Sequence, residues 1–334
     1  MSGVQYIDVC NGDADGLCAV LQWRLHAPRA ATLVTGLKRE IALLERVQAA
    51  AGDQVLVCDI SMQRNRTALL RLLEQGVQVR YFDHHAVADI PVHPGLEAHI
   101  DLGSGVCSSL LMDRHLGGAF RAWALVGAYG DNLTRVADAQ AIAHGFAADQ
   151  RQQLRALGEA INYNAYGEDE HDVHITPARL YGVLSRYSDP LALWAQETIG
   201  QELDALRQAD LRRAAGLKPH WQGDTGVVYL LPDEPWSRRV SGGLANELAR
   251  AAPKRACAVV APTRAAAAPG EGYRVSVRAP IDSPAGASEL CARFGGLGRA
   301  AAAGIDHLPA GELGRFVRAF GAARWGVTPG RQLS

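Results

Sequence analysis

Two aspartates, Asp13 and Asp15, stand one residue apart in the stretch DVCNGDADGL, residues 8–17. Glycines flank them, and the apolar run from Val4 to Val9 comes directly before. Carboxylates held this close repel each other unless a cation compensates their charge. The stretch therefore predicts a cation-binding turn at the end of a buried strand.

Further carboxylates and imidazoles follow along the chain, two of them at the ends of strand-like runs. Asp59 ends VLVCD, His84 belongs to FDHH, and Asp131 lies in YGDN. Carboxylates plus imidazole without thiolate suit Mn²⁺ or Mg²⁺, with cobalt or iron as alternatives. Two such ions roughly 3.5–4 Å apart would clamp a phosphoryl group and activate water. A single aspartate could equally be a helix cap or turn former, as for Asp15 before the next helix.

The elements that must position these side chains alternate over about the first 130 residues. The strand-like runs are VQYIDVC, AATLVTG, QVLVCDI and VQVRYFD, and the helical ones are GLCAVLQWRLHA, REIALLERVQAA and NRTALLRLLEQG. This alternation predicts a parallel sheet with helices on both faces. Ligands of such sheets bind beyond the carboxyl ends of the strands, where the acidic residues lie.

The rest of the chain predicts a helical region and then a second, smaller α/β domain. Residues 105–185 are mostly helical, interrupted by the loop NYNAYGEDEHDVH, whose Tyr163 and Tyr166 either stack on a base or pack internally. His171 and His174 of that loop are interpreted as solvated. We predict domains at 1–190 and 226–334, joined by a helical linker at 191–225. The low-complexity stretch RAAAAPG, residues 264–270, is expected to be a loop.

Composition narrows the class of protein. The 334 residues are 48% hydrophobic and 21% charged, as in globular proteins, and no apolar run reaches the roughly 18 residues of a membrane span. The start of the chain lacks the features of a signal peptide, so we expect a cytoplasmic protein with no membrane partner. Six scattered cysteines predict reduced core thiols, not a zinc-thiolate site.

Charge is unevenly spread, although the net charge is only −1. Residues 226–334 hold 14 Lys/Arg and 8 Asp/Glu, whereas residues 1–225 hold 20 and 27. An acidic first part that holds cations and a basic second part that holds an anion would suit a phosphorylated substrate. The absence of a long basic stripe favours a short substrate over a long duplex nucleic acid.

The motifs carry a resemblance to a known family. DADG, the strand-end aspartate of VLVCDIS, DHH and YGDN, in this order, resemble the four motifs of the DHH phosphoesterase superfamily. GGLGRAAAAGI, residues 295–305, resembles the GGGHxxAAG signature of the DHHA1 domain. The resemblance implies an α/β architecture in which a parallel-sheet DHH domain with helices on both faces holds two metal ions. A smaller α/β DHHA1 domain would face it across a cleft and bind the substrate.

Roles follow from the resemblance position by position. Asp13 and Asp59 would hold one ion. Asp15, Asp59, His84 and Asp131 would hold the second, with Asp59 bridging the two. His85 would contact the phosphate or assist the leaving group, the alternative being a purely structural histidine.

Two positions depart from the family pattern. Val9 stands where a metal-binding histidine is common, and we expect the amide oxygen of Asn11 to substitute for it. Arg299 stands where the glycine-rich signature has histidine, and arginine can grip phosphate with two hydrogen bonds.

The second domain offers further substrate-binding candidates. Arg278 at a strand end could meet a phosphate, and Gly296 and Gly298 could let the backbone approach an anion. Asn246 is another candidate. Arg238 and Arg239 are equally well explained as surface arginines.

The sequence therefore predicts a metal-dependent phosphodiesterase, with Mn²⁺ favoured over Mg²⁺ or Co²⁺, that cleaves short linear oligonucleotides or dinucleotides to mononucleotides. Asp59, His85 and Arg299 are the predicted catalytic residues. Cyclic dinucleotides, polyphosphate and single-stranded nucleic acid remain alternative substrates, and a homodimer is possible. A nucleotide-binding sensor without catalysis is the alternative from another class, because Val9 removes a ligand.

Overall fold

The computed structural model describes residues 3–263 and 271–326, and the chain divides into two compact units, Met1–Leu206 and Arg207–Ser334. The division falls inside the predicted linker 191–225. The predicted loop at 264–270 lies outside the described residues.

The first unit is built on a five-stranded parallel sheet in the order β2-β1-β3-β4-β5. The strands are β1 (Tyr6–Asn11), β2 (Thr32–Gly36), β3 (Gln54–Cys58), β4 (Gln78–Asp83) and β5 (Leu96–Ile100). The predicted α/β class and parallel sheet are confirmed. The strand β5 was not predicted, because this half-buried edge strand carries Glu97 and His99 and lacks a continuous apolar run.

Helices pack on both faces of this sheet and on one another. The helices that begin in the first unit are α1 (Ala14–His26), α2 (Arg66–Glu74), α3 (Ser108–His115), α4 (Arg121–Gly130), α5 (Thr134–Ala143), α6 (Ala148–Asn164), α7 (Pro177–Leu184), α8 (Pro190–Gln196) and α9 (Ile199–Ala215), of which α9 ends in the second unit. Successive strand residues point to opposite faces. Val9 of β1 accordingly packs in one core cluster with Leu69 of α2, and Cys10 packs in another with Leu17 of α1.

The helix predicted over REIALLERVQAA does not form. Only a short 3-10 turn, Leu43–Arg46, is present. Leu43 and Leu44 are buried as the apolar pattern indicated. Two side chains bond this backbone instead. Asn65, just before α2, accepts from the Leu44 N–H and donates to the Ile41 carbonyl. Arg71 of α2 donates to the carbonyls of Leu44 and Val47. These bonds satisfy backbone groups that a helix would pair internally.

The second unit is a six-stranded mixed sheet in the order β10-β11-β9-β8-β7-β6. Its strands are β6 (Trp221–Gly223), β7 (Gly226–Leu230), β8 (Ala256–Thr263), β9 (Gly272–Arg278), β10 (Leu297–Gly298) and β11 (Ala302–Pro309), and its helices are α10 (Pro235–Ala251), α11 (Ala287–Ala292) and α12 (Leu313–Gly321). Phe316 and Phe320 of α12 are fully buried in its core. Strands β6, β10 and β11 were not predicted, since two are very short and β11 begins in an alanine run.

All six cysteines are buried free thiols, as predicted. Within residues 3–263 and 271–326, every helix falls short of the length or the apolar character that crossing a membrane requires.

Candidate metal centre

The order of the parallel strands fixes where a ligand can bind. Strand β1 lies between β2 and β3, so the chain moves from β1 to β2 in one direction and from β3 to β4 in the other, and ligands of such sheets bind at the carboxyl ends of β1 and β3. Asp13 follows β1, Asp59 follows β3 and His84 follows β4. The side chains that the sequence singled out therefore lie at this edge of the sheet.

Asp59 is the most constrained of these residues. Its side chain is 4% exposed, and its backbone adopts a left-handed conformation with φ of 57°. For a residue with a Cβ this conformation costs about 1–2 kcal/mol, which the surrounding structure must supply. The backbone N–H of Asp59 donates to the Phe82 carbonyl at 3.0 Å, so the neighbouring strand holds the turn in place.

Three carboxylates converge on His84. The Nε2 atom of His84 lies 3.3 Å from Asp59 Oδ1, 3.9 Å from Asp15 Oδ2 and 3.9 Å from Asp131 Oδ2. These four residues are the set expected to hold the second ion, and the structure brings them together. Three carboxylates and one imidazole form a donor set suited to a hard or borderline divalent cation.

Asp15 is oriented by the start of α3. Its two carboxylate oxygens accept hydrogen bonds from the backbone N–H groups of Ser108 and Ser109, at 2.7 and 2.8 Å. Each oxygen keeps a further lone pair that can meet a cation. The alternative interpretation of Asp15 as the cap of α1 is wrong, because Asp13 occupies that position and accepts from Gly16 N at 3.1 Å.

The protonation behaviour of the cluster shows excess negative charge. Burial and the neighbouring Asp13 and Asp15 raise the pKa of Asp59 well above its usual range. Burial and Asp15 raise the pKa of Asp131 to about 6. Burial opposes charge on His84, but its hydrogen bond to Asp59 and the surrounding carboxylates outweigh that effect and raise its pKa to about 10. The cluster thus attracts positive charge, whether a proton or a metal ion.

Asp83 anchors the histidine pair. It is fully buried, and its Oδ1 accepts from the His84 N–H at 2.9 Å and lies 2.6 Å from His85 Nδ1. With Nδ1 bonded to Asp83, Nε2 of the half-exposed His85 side chain is the nitrogen left for another partner. The sequence analysis assigned no role to Asp83, the aspartate of the DHH motif, although its position directly before two histidines is a signal for the anchoring role.

Asp13 has a partner that the sequence analysis missed. Its Oδ2 forms an ion pair with Nζ of Lys38, which follows β2. Burial disfavours charge on Asp13, yet the Lys38 ammonium outweighs this and lowers the pKa of the carboxyl. The available signal was a lysine two residues beyond a strand end, one of only three lysines in the chain.

Val9 and Asn11 differ in their surroundings. The Val9 side chain is fully buried in the core cluster that contains Val57, where it packs as an ordinary core residue. Nδ2 of Asn11 lies 3.4 Å from the Lys38 carbonyl oxygen, whereas its Oδ1 is buried without a hydrogen bond to any residue that the structure describes. Ligation by Asn11 stays a prediction.

The candidates of the second unit occupy two places within it. Nε of Arg278 donates to Asn246 Oδ1 at 2.7 Å, so β9 and α10 hold these two side chains together. Arg299 is exposed, and its backbone closes the turn between β10 and β11 by donating to the Ala302 carbonyl. A Cβ at Gly298 would lie 2.4 Å from Ala303 Cα, so close approach of the two strands requires this glycine.

Arg238 and Arg239 are not surface residues. Both are buried, and they form ion pairs with Asp233 at 2.6 Å and Asp210 at 2.8 Å. Tyr163 is also buried, and its hydroxyl lies 2.9 Å from His174 Nε2, which favours internal packing over base stacking.

Comparison with solved structures confirms the resemblance in fold. The DHH domain of a protein described as a member of a ribosomal protein family is 13% identical, with a TM-score of 0.65 over 95% of this chain and 86% of that one. RecJ of Thermus thermophilus in complex with Mn²⁺ is 22% identical, with a TM-score of 0.56 over 95% of this chain and 51% of that one. The chain thus spans about half the length of that RecJ. No family model and no curated protein matches the sequence.

Proposed function

Since the chain has the fold of DHH-domain proteins, we propose that it is a metal-dependent phosphoesterase that hydrolyses short linear oligonucleotides or dinucleotides to mononucleotides. One observation carries the proposal. The carboxylates of Asp15, Asp59 and Asp131 all lie within 3.9 Å of His84 Nε2, at the edge where strands β1, β3 and β4 of the parallel sheet end. Buried carboxylates in such numbers are costly unless they bind a cation.

The residues that would hold the ion are Asp15, Asp59, His84 and Asp131. Mn²⁺ fits this mixed oxygen and nitrogen set best, with Mg²⁺ and Co²⁺ as alternatives. A bound ion of this kind polarises a phosphoryl oxygen and lowers the pKa of a water molecule. The Mn²⁺ complex of RecJ supports a divalent ion in this fold.

Other residues of the first unit supply positioning and proton transfer. His85, fixed through Nδ1 by Asp83 at 2.6 Å, would use Nε2 to bind a phosphate oxygen or to protonate the departing one. Asp15, fixed by two backbone N–H groups, cannot swing away from the cluster without breaking both bonds. Both arrangements set the geometry before a substrate binds.

The substrate class rests on charge. Residues 226–334 carry 14 basic and 8 acidic residues, a modest excess that favours a substrate with one or two phosphates over a long polymer. The proposed phosphate contacts in the second unit are Arg278 and Arg299, with Asn246, Gly296 and Gly298 as further candidates. Cyclic dinucleotides, polyphosphate and single-stranded nucleic acid are the competing substrates.

A substrate panel tests this proposal. Purified protein would be incubated with Mn²⁺ and pGpG, a cyclic dinucleotide, pAp, polyphosphate or a single-stranded 20-mer, and products separated by chromatography. We expect mononucleotides from pGpG at the highest rate and no product with excess chelator. Faster cleavage of the 20-mer or of polyphosphate would refute the substrate assignment. Tight nucleotide binding without turnover would favour a sensor.

A further inference from the structure

Lys38 lies where the resemblance implies a first metal ion. It follows β2 by two residues, and β2 is the neighbour of β1, the strand that ends before Asp13. Its Nζ forms an ion pair with Asp13 Oδ2. The strand next to the acidic cluster therefore brings a permanent positive charge to one of the two carboxylates that would hold this ion.

The ammonium group has its own binding site. Nζ donates to Asn162 Oδ1 at 3.1 Å and lies 5.4 Å from the centre of the Tyr166 ring, a distance that allows a cation–π contact. The Lys38 side chain is 22% exposed and that of Asp13 is 2% exposed. A lysine with an amide, an aromatic ring and a buried carboxylate around its charge is held there, unlike the lysine of a surface ion pair.

The backbone around Lys38 is fixed as well. Its N–H donates to the Ala165 carbonyl at 3.0 Å, and its own carbonyl accepts from Asn11 Nδ2 at 3.4 Å. Asn11 thus positions the segment that carries the lysine. The residue expected to repair the first metal site contributes to placing a cation there.

A first ion would have to compete with Lys38 for Asp13. Asp13 caps α1 with Oδ1 and meets Lys38 with Oδ2, so the oxygen that does not cap the helix already holds a cation. Val9 is buried in the core and offers no ligand atom. A divalent ion on Asp13 would also lie beside an ammonium group of the same sign, which repels it.

We propose that the ammonium of Lys38 replaces the first metal ion, so that the centre holds one divalent ion, on Asp15, Asp59, His84 and Asp131. The role of that single ion in hydrolysis rests on the function proposed above. The number of bound ions does not rest on that function, because it is measured without substrate. Lys38 supplies the second positive charge of the centre and keeps it when the medium contains no metal.

The test is Mn²⁺ stoichiometry, measured by equilibrium dialysis with elemental analysis and by loss of the free Mn²⁺ signal in electron paramagnetic resonance. We expect one Mn²⁺ per wild-type chain at saturation. Lys38→Met removes the ammonium group from Asp13, so this variant should bind a second Mn²⁺, with an affinity at least tenfold lower than that for the first. Lys218→Met, at an exposed lysine of the second unit, is the matched control and should stay at one.

The outcomes separate the two proposals. Two ions per wild-type chain, or one per Lys38→Met chain, would overturn the replacement by lysine and leave the metal-dependent function standing. No bound Mn²⁺ in the wild type would refute the metal centre itself and this proposal with it. Lys38→Arg keeps the charge and should stay at one ion, and circular dichroism shows that each variant is folded before its ions are counted.

Discussion

Metal affinity should depend steeply on pH, because an ion must displace a proton from His84. Imidazolium cannot ligate a metal, and the carboxylates around His84 raise its pKa to about 10. At pH 7, about 3 units below this pKa, removing the proton from His84 costs about 4 kcal/mol, and this cost weakens metal binding by the same amount. The dissociation constant for Mn²⁺ should fall about tenfold for each unit that the pH rises toward 10.

Isothermal titration measures this directly. Between pH 6.5 and 8.5 we expect the affinity for Mn²⁺ to rise about a hundredfold, with at least one proton released per ion, as seen from titrations in buffers of different ionisation enthalpy. His84→Gln removes the titrating group and should bind Mn²⁺ weakly with a much flatter pH profile. An affinity that changes less than about threefold over this range, without proton release, would refute the reasoning.

Substitutions at Asp59, at Asp83 and at the Arg24–Asp8 pair test the centre and the first unit that carries it. Asp59→Gly should be more stable than Asp59→Ala by about 0.5–1 kcal/mol in thermal unfolding, because only glycine adopts a φ of 57° without strain; equal stabilities would contradict this. Asp83→Ala leaves buried backbone N–H groups without an acceptor and frees His85, so urea unfolding should show a loss of about 3 kcal/mol, and turnover should fall more than Mn²⁺ affinity. Arg24→Leu leaves Asp8 of β1 buried without its bidentate partner and should lower the free energy of unfolding by about 3–5 kcal/mol. The double variant Asp8→Leu/Arg24→Leu should recover most of that loss.

The parallel sheet and its acidic edge could be predicted because both are encoded locally. Each strand is a short apolar run, and Asp13, Asp15, Asp59 and His84 follow their strands within a few residues, whereas Asp131 follows the helix α4. Once the strands are parallel, their ends meet at one edge and Asp59 and His84 become neighbours. The order of the strands brings Asp59 to His84, whereas Asp131 reaches His84 from the end of α4.

What could not be predicted depends on contacts between distant residues. Lys38 pairs with Asp13 across 25 residues and with Asn162 across 124, and no local pattern announces either contact. The helix expected at 39–50 failed for the same reason, since Asn65 and Arg71 bond its backbone from α2 and its start. Hydrophobic spacing indicated that Leu43 and Leu44 are buried but not the conformation of the chain around them.

The most direct test of the metal-dependent phosphoesterase is hydrolysis of pGpG with and without Mn²⁺ by the wild type and by Asp59→Asn, which keeps the shape of the side chain but removes its charge. Asp89→Asn, at an exposed carboxylate, is the control. We predict that the wild type and Asp89→Asn release mononucleotides only when Mn²⁺ is present, and that Asp59→Asn loses both turnover and bound Mn²⁺. Full turnover by Asp59→Asn, or by the wild type in excess chelator, would contradict the metal centre described above.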